Sequence, residues 1–245
     1  MRLGLHGSTV SGRAACALLL VGMMVAALAA PVGLRRTAAQ DIQTRAQVLH
    51  AATDLGKIEV HFNNDEVADE FEYGDQTDWV DVDPGSVQVW ITRDRAGINY
   101  TVFNAVYPVP AGNDYYLVIT DALVMGGVFD RSPLVGDTAR IQITHASVDT
   151  PAVNVVATGT DLNLASQLAY ARTSDAVEVP AGTYDVEVRL ADTGEVLLSL
   201  PGGIVEAGKT YQYVLMGEPG DDDKPLTVQS LVDDVQARGD GTPPA

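Results

Sequence analysis

Cysteine is nearly missing from this sequence. Cys16 is the single one in 245 residues, and it lies in the N-terminal segment. A chain that sheds that segment has no disulfide to lean on, so its domains must fold on core burial alone. Lysine is almost as scarce, with only Lys57, Lys209 and Lys224. The formal net charge is -18, a surface that repels phosphate backbones and anionic headgroups and so excludes nucleic acid as a partner. Aromatic residues make up only 6%, so the interior is expected to be built from Val, Leu, Ile and Ala. Motifs of chemistry are also wanting. There is no G-x-S-x-G elbow, no nucleophilic cysteine beyond residue 39 and no phosphate-cradling glycine loop. The pairs Gly126-Gly127 and Gly202-Gly203 read as turn glycines.

The N-terminus carries Arg2 and Arg13 ahead of an apolar run at residues 17–30. Ala27-Leu28-Ala29 and Thr37-Ala38-Ala39 then offer small-residue cleavage sites. This is the pattern of an export signal over residues 1–39, with a membrane anchor as the alternative if it stays uncleaved. Cleavage near Ala39 removes four of the fifteen bases and none of the 33 acids, leaving a net charge of -22.

The rest of the chain says one thing twice. Residues 45–62 read R-A-Q-V-L-H-A-A-T-D-L-G-K-I-E-V-H-F, and residues 140–157 read R-I-Q-I-T-H-A-S-V-D-T-P-A-V-N-V-V-A. Arg45 aligns with Arg140, His50 with His145, and Asp54 with Asp149. Pro84-Gly85 then meets Ala181-Gly182, and A-G-N-D-Y from Ala111 meets A-G-K-T-Y from Ala207. The period is far longer than a solenoid unit, so these are two domains. Within each copy apolar residues alternate with polar ones, as in Ile58, Val60, Phe62 and again in Tyr184, Val186, Val188. Short alternating runs between Gly, Pro, Asn and Asp are half-buried strands. The expected fold is all-β: two tandem antiparallel β-sandwich domains, immunoglobulin- or transthyretin-like, at 40–133 and 134–237. A disordered tail is expected at 238–245. The windows 66–73 and 162–170 have a helix-like pattern. At residues 179–188, V-P-A-G-T-Y-D-V-E-V, the chain is expected to cross between sheets.

The second copy runs H-A-S-x-D-x-P-A-V from His145, V-P-A-G-T-Y-x-V-E-V from Val179 and E-A-G-K-x-Y from Glu206. In that order these motifs resemble the bacterial exported family named for its domain of unknown function, 4397. The first copy follows the wording more loosely, with Thr53 and Leu55-Gly56 departing from it. The resemblance implies an exported β module and carries over no catalytic residue.

Three sets of residues are candidates for a site. Alternation points Trp79 and Trp90 outward, where exposed indoles stack on sugars or dock a partner; a covering domain is the competing reading. Asp81 and Asp83 lie in a run, residues 65–83, of nine acids and no base, and are candidate calcium ligands. His50 and His145, each with an Asp four residues on, are candidate metal ligands, although zinc needs three or four and no cysteine is at hand. The competing reading packs the histidines at the sandwich rim. No cofactor is expected, calcium being the one metal left open.

These observations lead to a non-enzymatic, secreted or cell-envelope protein that binds, adheres or spaces, with a protein or glycan at the cell surface as partner. The alternatives are a carbohydrate-binding module using Trp79 and Trp90, and an envelope hydrolase built on acidic residues, for which no carboxylate pair is singled out.

Overall fold

A computed structural model describes residues 43–235. The expected export signal at 1–39 and tail at 238–245 lie outside the described residues. Those that are described belong to one compact unit, and every regular element in it is a β-strand. The first copy contributes β1 (Arg45–His50), β2 (Ile58–Phe62), β3 (Asp65–Phe71), β4 (Val80–Asp81), β5 (Gly85–Asp94), β6 (Asn99–Val109), β7 (Asp114–Ile119) and β8 (Val124–Val128). The second contributes β9 (Thr138–His145), β10 (Val153–Ala157), β11 (Asn163–Leu168), β12 (Arg172–Thr173), β13 (Val177–Pro180), β14 (Gly182–Leu190), β15 (Val196–Val205), β16 (Lys209–Met216) and β17 (Thr227–Asp234).

Each copy is a sandwich of two sheets. The first pairs β4-β1-β7-β8 against β3-β2-β5-β6. The second pairs β12-β9-β16-β17, with β13 also on β9, against β11-β10-β14-β15. The all-β tandem sandwich read from the sequence is the fold, with one addition. β1 and β7 run parallel, and so do β9 and β16. Their burial explains how this is tolerated. Parallel pairs occur where both sheet faces are covered. β1 and β9 are buried along almost their whole length, whereas β2 and β10 alternate buried and half-buried residues.

What covers the second face is the other sandwich. The apolar cluster of Leu49, Tyr116, Val118 and Phe129 with Val214, Met216 and Leu231 joins the β1–β7 sheet to the β9–β16 sheet. The molecule is therefore four sheets deep. One core lies inside each sandwich and a third lies between them. Gly217 shows how closely the copies approach. A β-carbon there would stand 2.7 Å from the hydroxyl of Tyr73, and its φ of +84° already favours glycine.

The chain crosses between sheets at the repeated motif. β4 pairs with β1 while β5 pairs with β2, and β13 pairs with β9 while β14 pairs with β10. In the second copy the Tyr184 hydroxyl donates to the Pro180 carbonyl at 2.7 Å, closing the corner. Two local readings are corrected. The windows 66–73 and 162–170 are not helical; they hold β3 and β11. Both strands carry a bulge at the same place, with Glu70 and Gln167 at φ 45° and 50°. The extra residue breaks the period of two, which is why the pattern looked helical. The glycine pairs are not turns either: Gly126-Gly127 lies inside β8 and Gly202-Gly203 inside β15.

Candidate functional site

The two tryptophans end up in unlike surroundings. Trp79, just before β4, turns its indole into the junction between the sandwiches, where it is half-buried against Phe129 with ring centroids 5.6 Å apart. The Arg45 guanidinium lies over the indole, 3.9 Å from its centre. Arg45 also donates from Nε and Nη2 to both oxygens of Asp114, each at 3.0 Å, and from Nη2 to Asp233 at 3.1 Å. Arg131 stands 3.4 Å from Asp233 and 3.8 Å from Asp114. The two aspartates have no exposed side-chain surface, and they come from different copies: Asp114 from β7, Asp233 from β17. This cluster is a fastening, and Trp79 is part of it.

Burial, and then the neighbouring Asp114 carboxylate, push the Asp233 carboxyl up to about 6, while Arg131 and Arg45 pull it down. A carboxyl raised in the folded state contributes stability below its unfolded value of 3.8 and loses it as pH rises through about 6. Two pH units correspond to about 3 kcal/mol, which relaxation of the surrounding ion pairs reduces to roughly 1–2 kcal/mol. His50 and His145 act in the opposite sense. Burial lowers both, so their contribution is lost as pH falls below 6.5. Comparing wild type with Asp233→Asn isolates the carboxyl. Between about pH 4 and pH 7 the variant should gain roughly 1–2 kcal/mol over wild type in urea unfolding. A difference that stays flat with pH would contradict the assignment.

Trp90 lies on the outer face of β3-β2-β5-β6 and is 37% exposed. Register sets four residues in a row across that face: Glu66 on β3, His61 on β2, Trp90 on β5 and Asn104 on β6. His61 and Trp90 have ring centroids 5.2 Å apart at 34°. The indole N–H donates to Thr101 at 3.1 Å, which fixes the ring. Gln88 donates to Asn104 at 2.8 Å alongside it, and Glu59 accepts from Thr92 at 3.0 Å. The face thus offers one immobilised apolar ring bordered by amides and carboxylates. From the sequence His61 is only a further histidine of the first copy, not a partner of Trp90. Its place in the alternation of Ile58, Val60 and Phe62 put it on the outer face, but its partnership with Trp90 depends on strand register.

The family model described as a domain of unknown function, DUF4397, matches residues 44–156 and again residues 139–243. The chain belongs to the DUF4397 family. No curated protein matches it. Among solved structures it is similar to CBMbc, a family CBM26 module from Eubacterium rectale Amy13K in complex with maltoheptaose, at 8% identity, 78% of this chain, 99% of that chain and a TM-score of 0.26. It is also similar to the tip fimbrial protein Mfa3 of Porphyromonas gingivalis, at 10% identity, 78% and 99% coverage and a TM-score of 0.26. A third is the fimbrial anchor protein Mfa2 of the same organism, at 9% identity, 78% and 98% coverage and a TM-score of 0.22.

The histidine repeated in both DUF4397 copies occupies equivalent seats. His50 donates from Nε2 to the Gly56 carbonyl at 2.9 Å, and His145 from Nε2 to the Pro151 carbonyl at 3.2 Å. In the first copy Ala52 N–H donates to Nδ1 at 3.2 Å, which leaves the proton on Nε2. Each ring is fully buried and ties down the loop that follows its strand. Asp81 and Asp83 are exposed. Asp81 faces Arg45, at the far end of β1 from His50, about 17 Å away at strand spacing. The four residues singled out as metal ligands are thus not brought together. Among the described residues no three His, Cys, Asp or Glu side chains cluster as a metal would require.

Proposed function

We propose that this DUF4397 protein is a non-catalytic, exported protein of the cell envelope or its surroundings, acting by binding, adhesion or spacing. The observation that carries the reading is the four-sheet stack. Its inner sheets spend their polar and aromatic groups on holding the copies together, and its outer faces remain for contact with something else. The acidic composition and the export pattern of residues 1–39 are in keeping with it. A second reading, glycan binding, rests on Trp90 alone, a fixed indole between Gln88, Asn104 and His61 that matches a sugar's apolar face and its hydroxyls. Trp79 drops out of that reading because it is covered.

The purified chain without residues 1–39 tests both. On a glycan array, signal from wild type that disappears in Trp90→Ala supports the second reading, and no wild-type signal removes it. A broad hydrolase panel should show no turnover; turnover there would overturn the first.

A further inference from the structure

Duplication makes each sandwich a control for the other. The second copy closes the end of its core with two tyrosines, Tyr184 on β14 and Tyr213 on β16, and the gap left between its sheets is about 90 Å³. By the Pro-Gly/Ala-Gly and Ala-Gly alignments, the first copy has Val87 where the second has Tyr184, and Leu117 where it has Tyr213. Beside Leu117 stands Gly126, where Ser230 stands beside Tyr213. The rings come from other strands in the first copy, where Tyr107 faces Val87 as Gly203 faces Tyr184 and Phe62 stands in the place of Ala157, and the gap they leave is about 240 Å³. An apolar cavity of about 150 Å³ already admits benzene. Among the residues lining this one, the only side-chain polar atoms are the hydroxyls of Tyr107, Tyr115 and Tyr116. Tyr115 donates to the Pro110 carbonyl, and Tyr116 bonds to Thr173 and Thr144 of the second copy. Tyr107, on edge strand β6, is 36% exposed and stands where the gap opens between β6 and β8, beside exposed Gly126 and Val128.

We propose that the gap in the first sandwich is a binding site for a small uncharged amphiphile, its apolar body between the sheets and its one hydrogen-bonding group at Tyr107. Protein interiors are packed to crystal density, so a void of about 240 Å³, against about 90 Å³ in the other copy of the same fold, is a space for a ligand. A charged ligand is disfavoured because no lining residue is ionised to pair with it.

The test is titration of the chain without residues 1–39 with n-alcohols from butanol to decanol, followed by the methyl NMR signals of Val82, Val89 and Val124, lining residues that every variant below retains. Affinity should tighten by about fourfold per added methylene and level off once the gap is full. Grafting the second copy's residues, Val87→Tyr with Leu117→Tyr, should abolish the shifts. Gly126→Val is the milder variant. A β-carbon at Gly126 meets only the Tyr116 carbonyl at 3.6 Å, an ordinary contact, so the strand accepts it. It should weaken binding at least tenfold by narrowing the mouth. The proposal is overturned if no saturable methyl shift occurs anywhere in the series. It is equally overturned if Gly126→Val, folded, binds as wild type does, or if the shifts fall on the β6 backbone and not on the core methyls.

Discussion

Arg45→Ala should lower the unfolding free energy by about 3–5 kcal/mol, the largest loss expected of a single polar substitution here. The reason lies in what the truncation leaves behind. Arg45 is the bidentate partner of Asp114 and a donor to Asp233, and neither carboxylate has exposed side-chain surface. Without Arg45 the two acids face one another with its guanidinium charge gone, and Arg131 stands 3.4 Å from Asp233 and 3.8 Å from Asp114. Lysine should rescue little, since a point charge cannot make the two parallel bonds of the guanidinium fork. Because Asp114 and Asp233 belong to different copies, the effect should go beyond a lower midpoint. Wild type should unfold in urea as one transition, and Arg45→Ala should begin to separate the two sandwiches into two. A loss below about 1 kcal/mol with a single unchanged transition would show that the apolar junction suffices without the ion cluster.

That cluster is also where duplication has been put to two uses. Arg140, the repeat partner of Arg45, stands 3.4 Å from the carboxylate of Asp130, an exposed acid at the end of the first copy, where Arg45 holds two buried ones. It donates to the carbonyls of Asp130 and Ser132 at 2.8 and 3.1 Å and to Glu178 at 2.7 Å, pinning the segment that links the copies. Equivalent arginines thus hold the two ends of one arrangement: the first fastens sheet to sheet, the second fastens the linker to β9 and β13. The apolar surface between them supplies the bulk of the attraction, and the charged pairs fix which residues meet.

The sequence made some of this plain because the relevant signals are local. Alternation in residues 58–62 and 182–190 identifies strands, and the repeated Pro-Gly and Ala-Gly turns identify where the chain changes sheets. The signals fail where a neighbour decides. Bulges at Glu70 and Gln167 disrupt alternation in β3 and β11. Burial from both sides removes it from β1 and β9, so their parallel partners could not be read off. The alternation around Trp79 and Trp90 points both indoles away from the core of their own sandwich, but nothing local says that a second sandwich lies against one of them. The histidines show the same limit. Their repetition suggested ligands, while their bonds to the Gly56 and Pro151 carbonyls make them loop anchors.

The two tryptophans should therefore separate cleanly in a mutational experiment. Trp79→Ala removes a half-buried ring packed on Phe129 and under Arg45, and should cost about 2–4 kcal/mol of stability, somewhat below the range for fully buried aromatic truncations. Part of that loss arises because Arg45 then forfeits its ring contact, so it is not additive with Arg45→Ala. Trp90→Ala removes an exposed ring whose neighbours are His61 across the strand pair and Thr101 at the indole N–H. Cross-strand aromatic pairs of this kind contribute roughly 0.2–1 kcal/mol, so its stability cost should stay under about 1 kcal/mol. Function should sort the other way. Any partner or glycan that uses the outer face should lose affinity in Trp90→Ala at full fold integrity. Trp79→Ala should bind normally at temperatures where it remains folded. Urea unfolding of both variants, set beside binding to whatever the array identifies, reads the two effects independently. If Trp79→Ala proves neutral to stability while abolishing binding, the junction is not the structural fastening its geometry indicates, and the covered face is the functional one.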